Sequence, residues 1–162
     1  MYKIGDKVSY PMHGAGTITA IEQKTILNEA KDYYIIKVPV GDMIISVPVD
    51  SAEKLGLRPI IDRKDLDDIL NTLKAEGEDI NKNWNHRHRD NFEKMKTGEI
   101  TDLAEVVRDL KILSKERTLS GGDRKMLNGA MDLLVSEMML AYDVDQEMAT
   151  NKINKYIFME EE

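Results

Sequence analysis

Trp84 is the only tryptophan in a chain of 162 residues, and it opens the run Trp84-Asn85-His86-Arg87-His88-Arg89, where an indole is followed by two guanidinium and two imidazole groups. These side chains have a direct use on nucleic acid: an indole stacks on bases or wedges between them, and neighbouring arginines hold phosphates. A structural reading competes with it. A lone tryptophan on a helix that also carries Phe92 and Met95 is more often core than contact, and composition by itself favours core. Charge narrows the choice of function. Residues 82–96 hold five Lys and Arg against two Asp and Glu, whereas 62–81 hold three against seven and 118–162 four against nine, for a net charge of −7. A sequence-blind DNA coat needs many cations set against phosphates, so this balance argues against that class. Any DNA footprint is small and needs a second anchor to hold the protein on its site.

Other chemistries find no support. The chain has no cysteine, which excludes disulfides, thiolate metal sites and cysteine nucleophiles and fits a reducing cytoplasm. On a helix, residues two apart point to different sides, so His86 and His88 cannot share one metal ion. His13 sits in a turn, where a histidine is more often a hydrogen-bonding residue than a catalyst. Gly14-Ala15-Gly16 opens a strand and lacks the helix start of a phosphate cradle, and Ser120-Gly121-Gly122-Asp123 opens a helix without a P-loop lysine. No carboxylate pair stands out as acid and base. The expectation is a protein that is no enzyme and needs no metal or cofactor. The start Met1-Tyr2-Lys3-Ile4-Gly5-Asp6 is not a signal peptide, and no stretch approaches the ~20 apolar residues of a membrane span, so a soluble cytoplasmic protein is expected.

Two kinds of element must position these residues. Up to about residue 60, β-branched and aromatic runs are cut by Gly and Pro: Asp6 to Tyr10, Thr17 to Glu22, Tyr33 to Val38 and Met43 to Val47. This spacing predicts an antiparallel meander, small enough to curl into a barrel that covers its edges. Beyond Pro59 the period becomes helical. Asp62 caps a helix with Leu66, Ile69, Leu70 and Leu73, which Glu76-Gly77-Glu78-Asp79 interrupts. The Trp84 helix runs to Thr97-Gly98, and Thr101 caps a helix with Leu103, Val106, Val107 and Leu110. Ser120 to Asp123 opens a methionine-rich helix, most of which reads as core. Asp143 to Gln146 has capping-box spacing before the last helix. The fold class is therefore α+β in two domains: a small antiparallel β-barrel over 1–60 and an all-α bundle of about five helices over 61–162. Only Arg58-Pro59-Ile60-Ile61 joins them, which limits their relative motion.

Several blocks are more specific than the class. Trp84-x-x-Arg87-x-Arg89-x-Asn91, then Lys94 to Ile100, Ala104 to Leu110, Glu116-Arg117-x-Leu119-Ser120 and Asp123 to Leu127, resemble the helical domain of the CarD/CdnL family of bacterial transcription regulators. Gly5-Asp6-x-Val8, His13-Gly14-x-Gly16-x-Ile18 and Ile21-Glu22 resemble that family's RNA-polymerase-interacting domain, a Tudor-like (SH3-like) barrel also found in the transcription-repair coupling factor. The resemblance implies that the barrel docks on the lobe of the polymerase β subunit, partly by strand pairing. It implies further that a monomeric, non-enzymatic protein stabilises the open promoter complex from the upstream edge of the bubble. Trp84 would then wedge into the minor groove with Asn85 beside it, and Arg87 and Arg89 would hold phosphates. The polymerase face would comprise Lys24, Ile44, Ile45, Ser46 and Val47. Lys24 and Ser46 stand where actinobacterial members carry arginine, so the bidentate contact is lost at Ser46. His86 and His88 flank Arg87 where many members have an arginine and an aromatic, so charge there depends on pH. The alternative is a protein-only adaptor with a structural Trp84.

Overall fold

The computed structural model describes residues 1–74 and 84–158, with the side chains of all of these except Thr72, Trp84 and Asn85. The proposed interruption at Glu76 to Asp79 lies outside the described residues. Strands β1 (Lys7–Tyr10), β2 (Gly14–Ile26), β3 (Glu29–Val38), β4 (Met43–Pro48) and β5 (Arg58–Pro59) form one antiparallel sheet in the order β4-β3-β2-β1-β5. Its inner face packs Val8, Ile18, Tyr34, Ile36, Val38 and Val47 against Ala52 and Leu57. The order ends on β4. The expected covering of every edge is not met there, because the closing strand β5 pairs with β1.

β2 and β3 reach beyond their apolar runs. Pairing continues from Glu22↔Tyr33 to Ile26↔Glu29, through residues too polar to signal a strand. The turn between them is Leu27-Asn28, both at positive φ (51° and 65°), as the favoured two-residue hairpin turns require. Leucine at the first of these positions concealed the turn in the sequence.

Five helices follow: α1 (Arg63–Thr72), α2 (Trp84–Thr97), α3 (Ile100–Glu116), α4 (Gly121–Tyr142) and α5 (Gln146–Phe158). Asp62 accepts from the Asp65 N–H at 2.9 Å, Ser120 from the Asp123 N–H at 3.1 Å and Asp145 from the Met148 N–H at 2.8 Å, so three expected helix starts carry side-chain caps. The fourth differs. α3 begins at Ile100, ahead of Thr101, and Thr97 organises the entry by accepting from the Glu99 N–H and donating to Asp102. Leu66, Leu70, Leu103, Val106, Leu110, Leu134, Met138 and Ile153 fill the bundle core.

Sheet and bundle meet along α4. The Ala15 N–H donates to the Ser136 hydroxyl at 2.9 Å, and Lys7 Nζ donates to the Leu140 carbonyl at 3.2 Å. Gly14 makes this approach possible: its φ is +107°, and a Cβ there would lie 3.0 Å from Ser136 Oγ. Glu137, 1% exposed, accepts from both terminal nitrogens of Arg58 at 2.8 and 2.9 Å and from the Ile61 N–H at 2.8 Å. The joining segment is thus fixed against the bundle by a fork-shaped ion pair between a partly exposed guanidinium and a buried carboxylate.

Candidate functional site

Two surfaces hold the residues singled out in the sequence. The first is the start of α2, whose opening backbone is that of Trp84 and Asn85; the side chains of these two lie outside the described residues. Arg87, Asn91 and Met95 follow at four-residue steps and are 4%, 5% and 6% exposed, which defines the face of α2 turned into the bundle. Arg87 therefore lies in the interior. Its Nη2 donates to Asp123 Oδ2 at 2.6 Å and its Nε to Oδ1 at 3.2 Å, and Asp123 is 1% exposed. The expected phosphate contact is corrected: a guanidinium paired with a buried carboxylate joins α2 to α4 and is not presented to solvent. His88 is half-buried, and His86 and Arg89 are exposed.

Phe92 also departs from expectation. It is 39% exposed, with Lys96 Nζ 4.9 Å from its ring centroid, so of the two apolar residues that suggested a core helix only Met95 is buried. Arg89, Phe92 and Lys96 recur at helical spacing, and an aromatic between two cations suits contact with bases and phosphates. The Arg87–Asp123 pair draws the first turn of α4 beside α2, and the next residues, Arg124 and Lys125, are exposed. Sequence reasoning passed over both cations. The signal was present in Asp123-Arg124-Lys125, but only the packing of α4 against α2 shows that they adjoin the basic run.

The second surface is the β4 edge. Its backbone pairs with β3 on one side through Tyr33↔Pro48 to Val38↔Met43, which leaves β4 as the sheet's end strand. Ile44 is 73% exposed and Met43 44%, and among the described residues no strand pairs with the outer side of β4, a geometry compatible with strand addition. Alternation divides the expected polymerase residues. Ile44 and Ser46 face outward, and Lys24 from β2 donates to Ser46 Oγ at 2.8 Å with its ammonium 5.9 Å from the Tyr33 ring centroid. Ile45, partly buried, and Val47, completely buried, turn toward the core on the inner face of the sheet, so a partner on this edge meets mainly their backbones. The β2–β3 hairpin runs past the end of β4, and its tip exposes Ile26, 52%, and Leu27, 93%, the latter in the left-handed region. Neither stands out in the sequence, because strand propensity does not reveal which apolar residues remain uncovered.

His13 behaves as a turn residue, with Nδ1 3.0 Å from the Pro11 carbonyl and its ring stacked on Tyr10. Among the described residues no group of three or more His, Asp and Glu could hold a metal ion, and no helix is long and apolar enough to cross a membrane.

Fold and surfaces together define a two-part α+β protein with an open sheet edge on one part and a basic, aromatic-bearing helix start on the other. Comparison with known proteins gives the family. Residues 2–61 match the CarD-like/TRCF RID domain and residues 68–154 the CarD C-terminal domain. A Bacillus subtilis (strain 168) protein named "Putative transcription factor YdeB" is 40% identical over 138 residues, which cover 85% of this chain and 90% of that relative. The chain belongs to the CarD family of transcription factors.

Proposed function

We propose that this protein binds RNA polymerase through the β4 edge, on the lobe of the β subunit, and stabilises the open promoter complex by placing Trp84 in the minor groove at the upstream end of the bubble. The observation that carries the reading is the end-strand position of β4, with Ile44 and Ser46 on its outward face and Met43 exposed at its start. That strand supplies the second anchor demanded by a net-acidic chain with one small basic patch. The family match and the name of the Bacillus subtilis relative support a role in transcription. In this reading Arg89, Arg124 and Lys125 hold phosphates, and Arg87 keeps the two helices that carry them together. A wedge recognises the shape of a fork more than its sequence, so no extended recognition helix is needed.

The test is Trp84→Ala, with two measurements on the same protein. A wedge acts only where bases are unstacked, so its loss costs about 1–3 kcal/mol in the open complex and little in the closed one. That is a roughly fivefold to hundredfold lower open-to-closed ratio, seen as a shorter open-complex lifetime at unchanged polymerase retention. A core tryptophan behaves in the opposite way, because truncation costs about 3–5 kcal/mol of folding stability. A large fall in melting temperature, with the lifetime unchanged for the protein that remains folded, would assign Trp84 to the core and favour a protein-only adaptor.

A further inference from the structure

We propose that Arg58 is a positioning residue that transmits the polymerase-docked pose of the sheet to α2, so that the Arg58–Glu137 pair sets where the start of α2 sits on the promoter. The inference rests on the function proposed above and adds the element that couples its two surfaces. Arg58 lies on β5, paired through Ser9↔Arg58 to β1 and so to the same sheet that ends in β4. Its guanidinium leaves the sheet and makes two kinds of contact at once. Both terminal nitrogens donate to the Glu137 carboxylate in the middle of α4, and Nη2 also donates to the Gly98 carbonyl at 2.8 Å.

Gly98 directly follows the last residue of α2, so one side chain ties the sheet to α4 and to the C-terminal end of the helix that begins with Trp84. Gly98 itself is shaped for the contact. Its φ is +69°, and a Cβ there would come within 2.8 Å of Pro11 Cγ, so the β1–β2 turn also presses on this point. The clamp has little slack: Glu137 is 1% exposed and takes a third donor from the Ile61 N–H. Burial works against the charge of Arg58, but the hydrogen bonds and negative charge of Glu137 outweigh it and hold the guanidinium more firmly protonated than usual.

A rigid clamp has a functional consequence because the protein holds its target at two points. Once the sheet is docked, the helix start binds intramolecularly, and its effective concentration at the fork depends on how narrowly the joint confines it. Loosening the joint spreads the start of α2 over positions away from the fork. Polymerase docking is untouched, while open-complex stabilisation falls.

The experiment uses Arg58→Lys, which keeps the charge facing Glu137 but loses the planar fork and the reach to Gly98, and Glu137→Gln, which keeps the shape but loses the ion pair. If one variant does not fold, the other carries the test. Because the chain has no cysteine, Lys31→Cys on β3 and Glu93→Cys on α2 give two unique spin-label sites on exposed positions. Pulsed electron spin resonance on the free protein then reports sheet-to-α2 distances, and open-complex lifetime is measured with the unlabelled full chain. The expected result is a narrow distance distribution in the parent, a broad one in the variant, unchanged polymerase retention, and an open-complex lifetime shortened roughly fivefold or more. A distribution as narrow in the variant as in the parent overturns the inference. So does a broadened distribution with an unchanged lifetime. If the parent itself does not lengthen open-complex lifetime, the proposed function fails, while the distance measurement still decides whether Arg58 holds the joint.

Discussion

Arg87 shows how a charged residue in a basic run can belong to the interior. Its neighbours in sequence suggest phosphate, but four-residue spacing with Asn91 and Met95 turns it inward, where Asp123 meets it in the first turn of α4. Removing one member of a buried pair leaves the other charge uncompensated, at a cost of about 3–5 kcal/mol. Arg87→Ala is therefore expected to lower the melting temperature by on the order of 10 °C. Replacing both partners with apolar side chains of similar size, Arg87→Met with Asp123→Leu, is expected to recover most of that stability. The doubly substituted protein should also keep the parental open-complex lifetime. A folded double variant with a much shorter lifetime would return Arg87 to the DNA surface. Serine, aspartate and leucine positions were more legible than this arginine, because a cap or an apolar period is a local property and the partner of a charge is not.

Among the elements, β4 carries the sharpest expectation. Adjacent residues of a strand aim their N–H groups to opposite sides, so of Ile44→Pro and Ile45→Pro one removes a donor to β3 and the other a donor on the open edge. The variant that remains folded is the informative one, and it should lose binding to polymerase in a pull-down with the β-lobe fragment. Parental affinity in that variant would remove β4 as the docking edge. A second expectation concerns the joint of α1 and α4, where the Tyr142 hydroxyl donates to Asp67. Burial, with that hydrogen bond and the charge of Asp67, pushes the Tyr142 phenol above its ordinary value. The folded state then holds the proton more tightly than the unfolded chain. This contribution is complete below the unfolded value of about 10 and is lost as pH rises beyond it. Denaturant melts from pH 9 to 11 should show a smaller loss of stability in Tyr142→Phe than in the parent.

At the scale of the whole molecule, the two parts share an interface built from Gly14, Ser136, Lys7, Arg58, Glu137 and Gly98, with Glu137 fully enclosed. Unfolding either part alone would expose that carboxylate or strip it of its partners. Calorimetry of the full chain is expected to show one transition with calorimetric and van't Hoff enthalpies close to equal. Two separated transitions would mean that the interface contributes little and that the parts are independent units.

The sequence by itself determined that this chain has a β part and an α part, where most helices start, and, through family blocks spread along nearly its whole length, what kind of protein it is. Those are properties of residues close together in the chain: period, caps, turn residues and ordered motifs. Only the tertiary structure decided which strand is left at the edge, that Ile44 faces outward while Val47 faces inward, that Phe92 is exposed, and that Arg58 and Arg87 are spent on Glu137 and Asp123. Each of those outcomes depends on a partner that lies far away in sequence. Arg58 and Glu137 are separated by 79 positions and Arg87 and Asp123 by 36, distances at which no local preference acts and only the packing of α4 against the sheet and α2 brings the charges together.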